Sequence, residues 1–97
     1  MIVIHGGVRV DPTKISEVTE AAKTFVAATA NEEGFVEYTL SWSIVEPNNV
    51  RLLEVWTTPE TSAAHGTQQH TKDWTTMISS AALAAPKFFK YEAELIG

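Results

Sequence analysis

The 97-residue chain contains no cysteine. That removes disulfides, thiolate metal sites and a cysteine nucleophile at once. Basic residues are also scarce: Lys and Arg number 7 against 12 Asp and Glu, for a formal net charge of −5. The basic residues are scattered and form no run. The clustered cations that phosphate binding demands are missing, so no nucleic-acid partner is expected. No apolar run approaches the roughly 20 residues needed to cross a bilayer, so no membrane partner is expected either. The opening "MIVIHGGVRV" has no basic n-region and reads as a strand rather than a leader. Its "HGGV" lacks the glycine spacing and lysine of a phosphate loop, and there is no nucleophile elbow or dinucleotide fingerprint. The expectation is one cytoplasmic domain, residues 1–97, holding no nucleotide or flavin cofactor of its own.

What is present is strongly patterned. "IVIHGGVRV" is rich in β-branched residues and forms a first strand, with Ile2, Ile4, Val8 and Val10 on one face. The face opposite carries Val3, His5, Gly7 and Arg9. Asp11 and Pro12 open a helix as N-cap and first helical residue. Ile15, Val18, Ala22, Phe25, Val26 and Thr29 then recur at helical spacing, and Gly34 closes the segment. "FVEYTLSWSIV" alternates, placing Val36, Tyr38, Leu40, Trp42 and Ile44 together. "EPNN" is a turn, and "VRLLEVW" returns as the other arm of a hairpin. A weaker helical region starts at Pro59, diluted by Gly66 and several Thr and Gln, and continues through "KDWTTMISSAALAA". Pro86 ends it, and "KFFKYEAELI" is a last strand with Phe89, Tyr91, Ala93 and Leu95 on one face.

The order β-α-β-β-α-β is that of a ferredoxin-like α+β fold, an antiparallel sheet with two helices on one face. Two helices cover one face only, yet large apolar residues fall on both. A symmetric homodimer packed sheet against sheet hides the second face economically.

Within this frame the stretch "EVWTTPETSAAHGTQQH" gathers Glu54, Trp56, His65 and His70 in one strand–helix unit. A carboxylate among Leu and Val needs a partner, and Arg9 or His5 on the neighbouring strand is the expected one. Histidine suits proton transfer near neutral pH, and Trp and Tyr suit the walls of an aromatic pocket. On an ideal helix His65 and His70 point about 140° apart, so they do not share one atom unless the helix breaks at Gly66. A metal pair prefers i, i+4 spacing, and no metal is expected. Glycine at positions 6 and 7 of a strand points to something approaching the backbone, a facing helix before a ligand.

The chain resembles the antibiotic biosynthesis monooxygenase family of dimeric α+β barrels. The resemblance rests on Gly34 and Tyr38 entering the second strand, Glu54-x-Trp56, Ala64-His65, and His70 followed by Trp74. Phe35 stands where Cys is common in the family. The first strand lacks the Asn of haem-degrading relatives. The resemblance implies a cofactor-independent monooxygenase acting with O₂ on a small electron-rich aromatic or quinol. His65 would be the base, with Trp56 and Glu54 beside it. Substrate contacts would come from His5, Tyr38, Trp42, His70, Trp74 and Phe88. The alternatives are a non-catalytic module that binds a small hydrophobic ligand, and a haem-binding or haem-degrading protein with His65 or His70 as axial ligand.

Overall fold

The computed structural model describes residues 1–97. The chain runs β1 (Ile2–Arg9), a 3-10 turn (Pro12–Lys14), α1 (Ile15–Thr29), β2 (Phe35–Trp42), β3 (Asn49–Trp56), α2 (Pro59–His65), α3 (Gln69–Ala81) and β4 (Lys87–Glu92). The four strands make one antiparallel sheet in the order β2-β3-β1-β4. The fold is the ferredoxin-like α+β sheet that the strand and helix order implies. No helix is long and apolar enough to cross a membrane.

The helices lie on one sheet face, and the burial of alternate residues shows which. Ile2, Val8, Tyr38, Val50 and Trp56 are buried, and they pack with Val18 and Phe25 of α1 and Trp74 and Ala81 of α3. A side chain such as fully buried Trp56 contributes about 3–5 kcal/mol when judged by truncation to alanine.

Local chemistry accounts for the element ends. Asp11 accepts from the Thr13 amide at 2.9 Å and from its hydroxyl at 2.7 Å, so it caps the 3-10 turn rather than α1 itself. Those bonds hold the Asp11 carboxyl below its usual pKa. Thr58 and Thr61 form a reciprocal capping box at the start of α2, with Pro59 at its first position. α1 ends at Thr29, so Gly34 is not its C-cap. Gly34 instead takes φ +78° in the turn into β2, where a Cβ would lie 2.4 Å from the Thr61 side chain.

Several expectations need correction. β2 ends at Trp42, and Ile44 is 100% exposed in the following loop. A register shift between Phe35 and Glu37 turns Val36 outward and brings Phe35 edge-on against Trp56. β4 stops at Glu92, so Leu95 belongs to no strand face. No helix explains the glycine pair. A Cβ at Gly6 would meet the Lys87 carbonyl and the Phe88 ring of β4, and one at Gly7 the Arg51 and Asn49 side chains. The second helical region is two helices, and that break builds the site.

Candidate active site

Gly66 caps α2 with φ −64°, an ordinary helical value, while Gln68 is extended at φ −72°, ψ 145°. The chain therefore turns at Gln68. The Thr67 hydroxyl donates to the Ala64 carbonyl at 2.7 Å, and the Thr71 hydroxyl to the His65 carbonyl at 2.7 Å, which ties the corner. The turn swings His70 back toward His65. Both rings then meet one carboxylate: His65 Nδ1 and His70 Nε2 each lie 2.7 Å from Glu32 Oε2.

A carboxylate only accepts, so both of those nitrogens carry the hydrogen. His65 is left with Nε2 free of any protein partner and not sealed from solvent. The carboxylate thus holds the ring by Nδ1 and leaves the second ring nitrogen open. His65 is buried, and its ring packs against Trp56 at 4.8 Å, Tyr38 at 5.5 Å and Phe25 at 5.7 Å between centroids. Phe25 is the hub of these rings, stacked on Trp74 at 5.2 Å and edge-on to Tyr38 at 5.2 Å.

His65 borders a cavity of about 380 Å³ between the sheet and α3. Phe25, Tyr38, Leu40, Leu52, Trp74, Ile78 and Phe88 make most of its apolar wall, and Glu54 and Tyr38 are polar groups on its floor. The size lies within the usual range for small-molecule sites. Glu54 is buried and finds its partner two residues along its own strand, where Trp56 Nε1 donates to Oε1 at 2.8 Å. Arg9 and His5 play no part in it, because both project from the opposite sheet face. Burial, then Glu54 across the strand pair through its charge and as a hydrogen-bond partner, then the charge of Glu32, push the Tyr38 phenol above its ordinary range. Tyr38 is thus fixed as a neutral donor.

The candidate residues named from sequence divide clearly. His65, Glu54, Tyr38, Trp74 and Phe88 share the cavity. Trp56 is fully buried behind it, beneath His65 and Glu54. His70 meets Glu32 from the far side and opens onto a polar groove with Glu33 and Glu60. Trp42 lies at the other edge of the sheet, donating to Thr19 Oγ1 at 3.1 Å beside a separate groove along α1. His5 stacks on Phe89 at 5.3 Å and Tyr91 at 5.8 Å on the face away from the cavity. Trp42 and His5 therefore do not reach this cavity. Sequence reasoning missed Glu32, whose partners lie 33 and 38 positions away with no local spacing to betray it. Glu32, His65 and His70 are also the one group whose side chains could hold a divalent cation, their donor atoms lying within 4.8 Å of one another.

These features place the chain among small ferredoxin-like α+β proteins, with an apolar, ring-lined cavity beside a carboxylate-held histidine. Residues 1–76 match the family described as Antibiotic biosynthesis monooxygenase, and the chain belongs to that family. Among solved structures it is similar to a conserved protein from Methanosarcina mazei, at 22% identity and a TM-score of 0.90, covering 96% of this chain and 92% of that one. A Nitrosomonas europaea protein, named as a candidate antibiotic biosynthesis monooxygenase, superposes with a TM-score of 0.89 at 22% identity, covering 96% and 98% of the two chains. A conserved Bacteroides thetaiotaomicron protein of unknown function, suggested as an oxidoreductase, shares 29% identity at a TM-score of 0.86, with 95% and 96% covered. No curated protein sequence matches the chain significantly.

Proposed function

We propose that the protein is a cofactor-independent monooxygenase that oxidises a small electron-rich aromatic or quinol with O₂. The observation that carries this reading is the pairing of His65 with Glu32 at the edge of an apolar cavity. Family membership supports it. The substrate supplies every electron, so the protein need only create its anion and shelter it from water.

In this reading His65 Nε2 takes a proton from the bound phenol or anthrone. Glu32 stabilises the imidazolium through Nδ1–H. Tyr38 donates a hydrogen bond to the oxyanion as charge develops. The anion gives an electron to O₂, and the radical pair joins through a new C–O bond to form a peroxide. His65 returns its proton to that peroxide. The O–O bond then breaks as the same carbon loses its remaining hydrogen, leaving a carbonyl and releasing water. One oxygen atom enters the product, and the other leaves as water with two substrate hydrogens.

Oxygen uptake by metal-free protein on a panel of anthrones and naphthohydroquinones tests the reading. His65→Ala should lower the rate by about 10²–10⁴-fold, the usual contribution of a positioned base. A second reading, a module that binds such compounds without chemistry, is favoured by the same apolar wall. It expects thermal stabilisation by the panel with no uptake. A Soret shift on mixing with haemin, lost in His65→Ala or His70→Ala, would instead support the haem alternative.

The molecule is proposed to work as a homodimer of 97-residue units. Val3, Leu53, Val55, Phe89 and Tyr91 share the helix-free sheet face with His5, and Phe89 and Tyr91 are each 51% exposed there. An open apolar face of this kind suits a second copy.

A further inference from the structure

Register places four inward residues in one row across the sheet. Tyr38 of β2 pairs with Glu54 of β3, Glu54 with Ile4 of β1, and Ile4 with Lys90 of β4. All four line the cavity. The row runs from the two polar groups next to His65, over an apolar middle, to an ammonium group. Lys90 is the only Lys or Arg in the cavity wall; it is exposed at the open edge of the cavity on β4 and forms no salt bridge. From Glu54 to Lys90 is two strand spacings, about 10 Å. The row below it is apolar throughout: Leu40, Leu52, Gly6 and Phe88.

We propose that Lys90 is the anion subsite of this cavity, reading a carboxylate at the end of a flat aromatic substrate opposite its reacting hydroxyl. The inference rests on the cavity being the substrate site. It narrows the substrate class to two- or three-ring phenolic acids whose acid group lies about two strand spacings from the reacting carbon. A carboxylate there completes the unpaired cation, while the rings lie over Ile4 between Trp74 and Phe88. An acid group next to the hydroxyl would instead fall beside Glu54, where like charges repel. The competing role for Lys90 is that of an edge-strand lysine that discourages pairing with another chain, since β4 is an edge. That role makes no distinction among ligands.

Three fluorescent probes separate the two roles: 2-naphthol, 6-hydroxy-2-naphthoate with its acid at the far end, and 3-hydroxy-2-naphthoate with its acid beside the hydroxyl. Binding is measured by titration to the full chain, its Lys90→Gln variant and its Lys90→Glu variant. The expected result is that 6-hydroxy-2-naphthoate binds the unaltered protein about fivefold or more tightly than either other probe, with a preference that shrinks as salt is raised. Lys90→Gln should erase the preference, and Lys90→Glu should reverse it in favour of 2-naphthol. Equal binding of the three probes, or a preference unchanged in Lys90→Gln, overturns the subsite while leaving the cavity intact. Failure of all three to bind overturns the cavity reading as well.

Discussion

At the scale of single residues, the site depends on how each polar group is partnered. Glu32 Oε2 satisfies two imidazoles at once, so Glu32→Gln should damage the site more than its small change in shape suggests. An amide presents one carbonyl oxygen and one NH₂, and it cannot stabilise an imidazolium. The expected outcome is a fall in turnover of the order of 10²-fold, with a pH–rate profile whose rising limb moves, while binding of a non-reacting naphthol persists. An unmoved pH profile would show that Glu32 does not act through His65. Tyr38 allows a second check. Its phenol is shifted upward in the fold, so the folded state holds the proton more tightly than the unfolded chain. That contribution is fully present below the unfolded tyrosine pKa of about 10 and is lost as pH rises above it. In a Tyr91→Phe background, absorbance titration should reveal no tyrosinate until the chain unfolds. A tyrosinate formed in the folded protein would contradict the burial assigned to Tyr38. Trp56 has a plainer role. Trp56→Phe removes the N–H that Glu54 Oε1 accepts, and an unpaired buried carboxylate oxygen should cost about 1–3 kcal/mol in denaturant unfolding.

At the scale of elements, the break between α2 and α3 decides what the two histidines can do. Read as one helix, positions 65 and 70 diverge. Read as two, they converge on Glu32. The sequence carried the signal in Gly66, but for the wrong physical reason. Gly66 is right-handed, and a Cβ there would sit 3.4 Å from the Ala63 carbonyl, an ordinary contact. Gly66→Ala should therefore be tolerated, and stabilising by about 0.4–1 kcal/mol through the unfolded chain. Gly34→Ala should do the reverse. Its positive φ and the Thr61 side chain leave no room, so a loss of more than about 1 kcal/mol is expected, with α2 displaced from the β2 entry. Thermal unfolding of the pair of variants checks both signs. The succession of strands and helices, the hairpin and the sides of β1 were legible because period-two alternation and turn residues are local properties. The Glu54 partner was not. The ferredoxin-like order told that residues 5, 9 and 54 lie on neighbouring strands, but register, which sets Ile4 opposite Glu54, put them on opposite faces. A bulge at Val36 and the early end of β4 were equally invisible to a strict two-residue period.

At the scale of the whole molecule, one sheet face is covered by helices around the cavity and the other is open and apolar. His5, legible in the sequence as a site candidate, belongs to that open face because of its odd position in β1. If the face seats a second copy, Tyr91→Glu together with Leu53→Glu should halve the sedimenting mass in analytical ultracentrifugation. Unaltered protein that sediments as a monomer at micromolar concentration would refute the dimer. The central claim is that His65 and the cavity together run an oxygenation with electrons drawn only from the substrate. Its most direct test is a single turnover of metal-free protein with an anthrone under ¹⁸O₂, followed by mass spectrometry of product and water. The account predicts one labelled atom in the new carbonyl, the other in water, and neither formed above background by His65→Ala. Product without label, or equal labelling by His65→Ala, would contradict it.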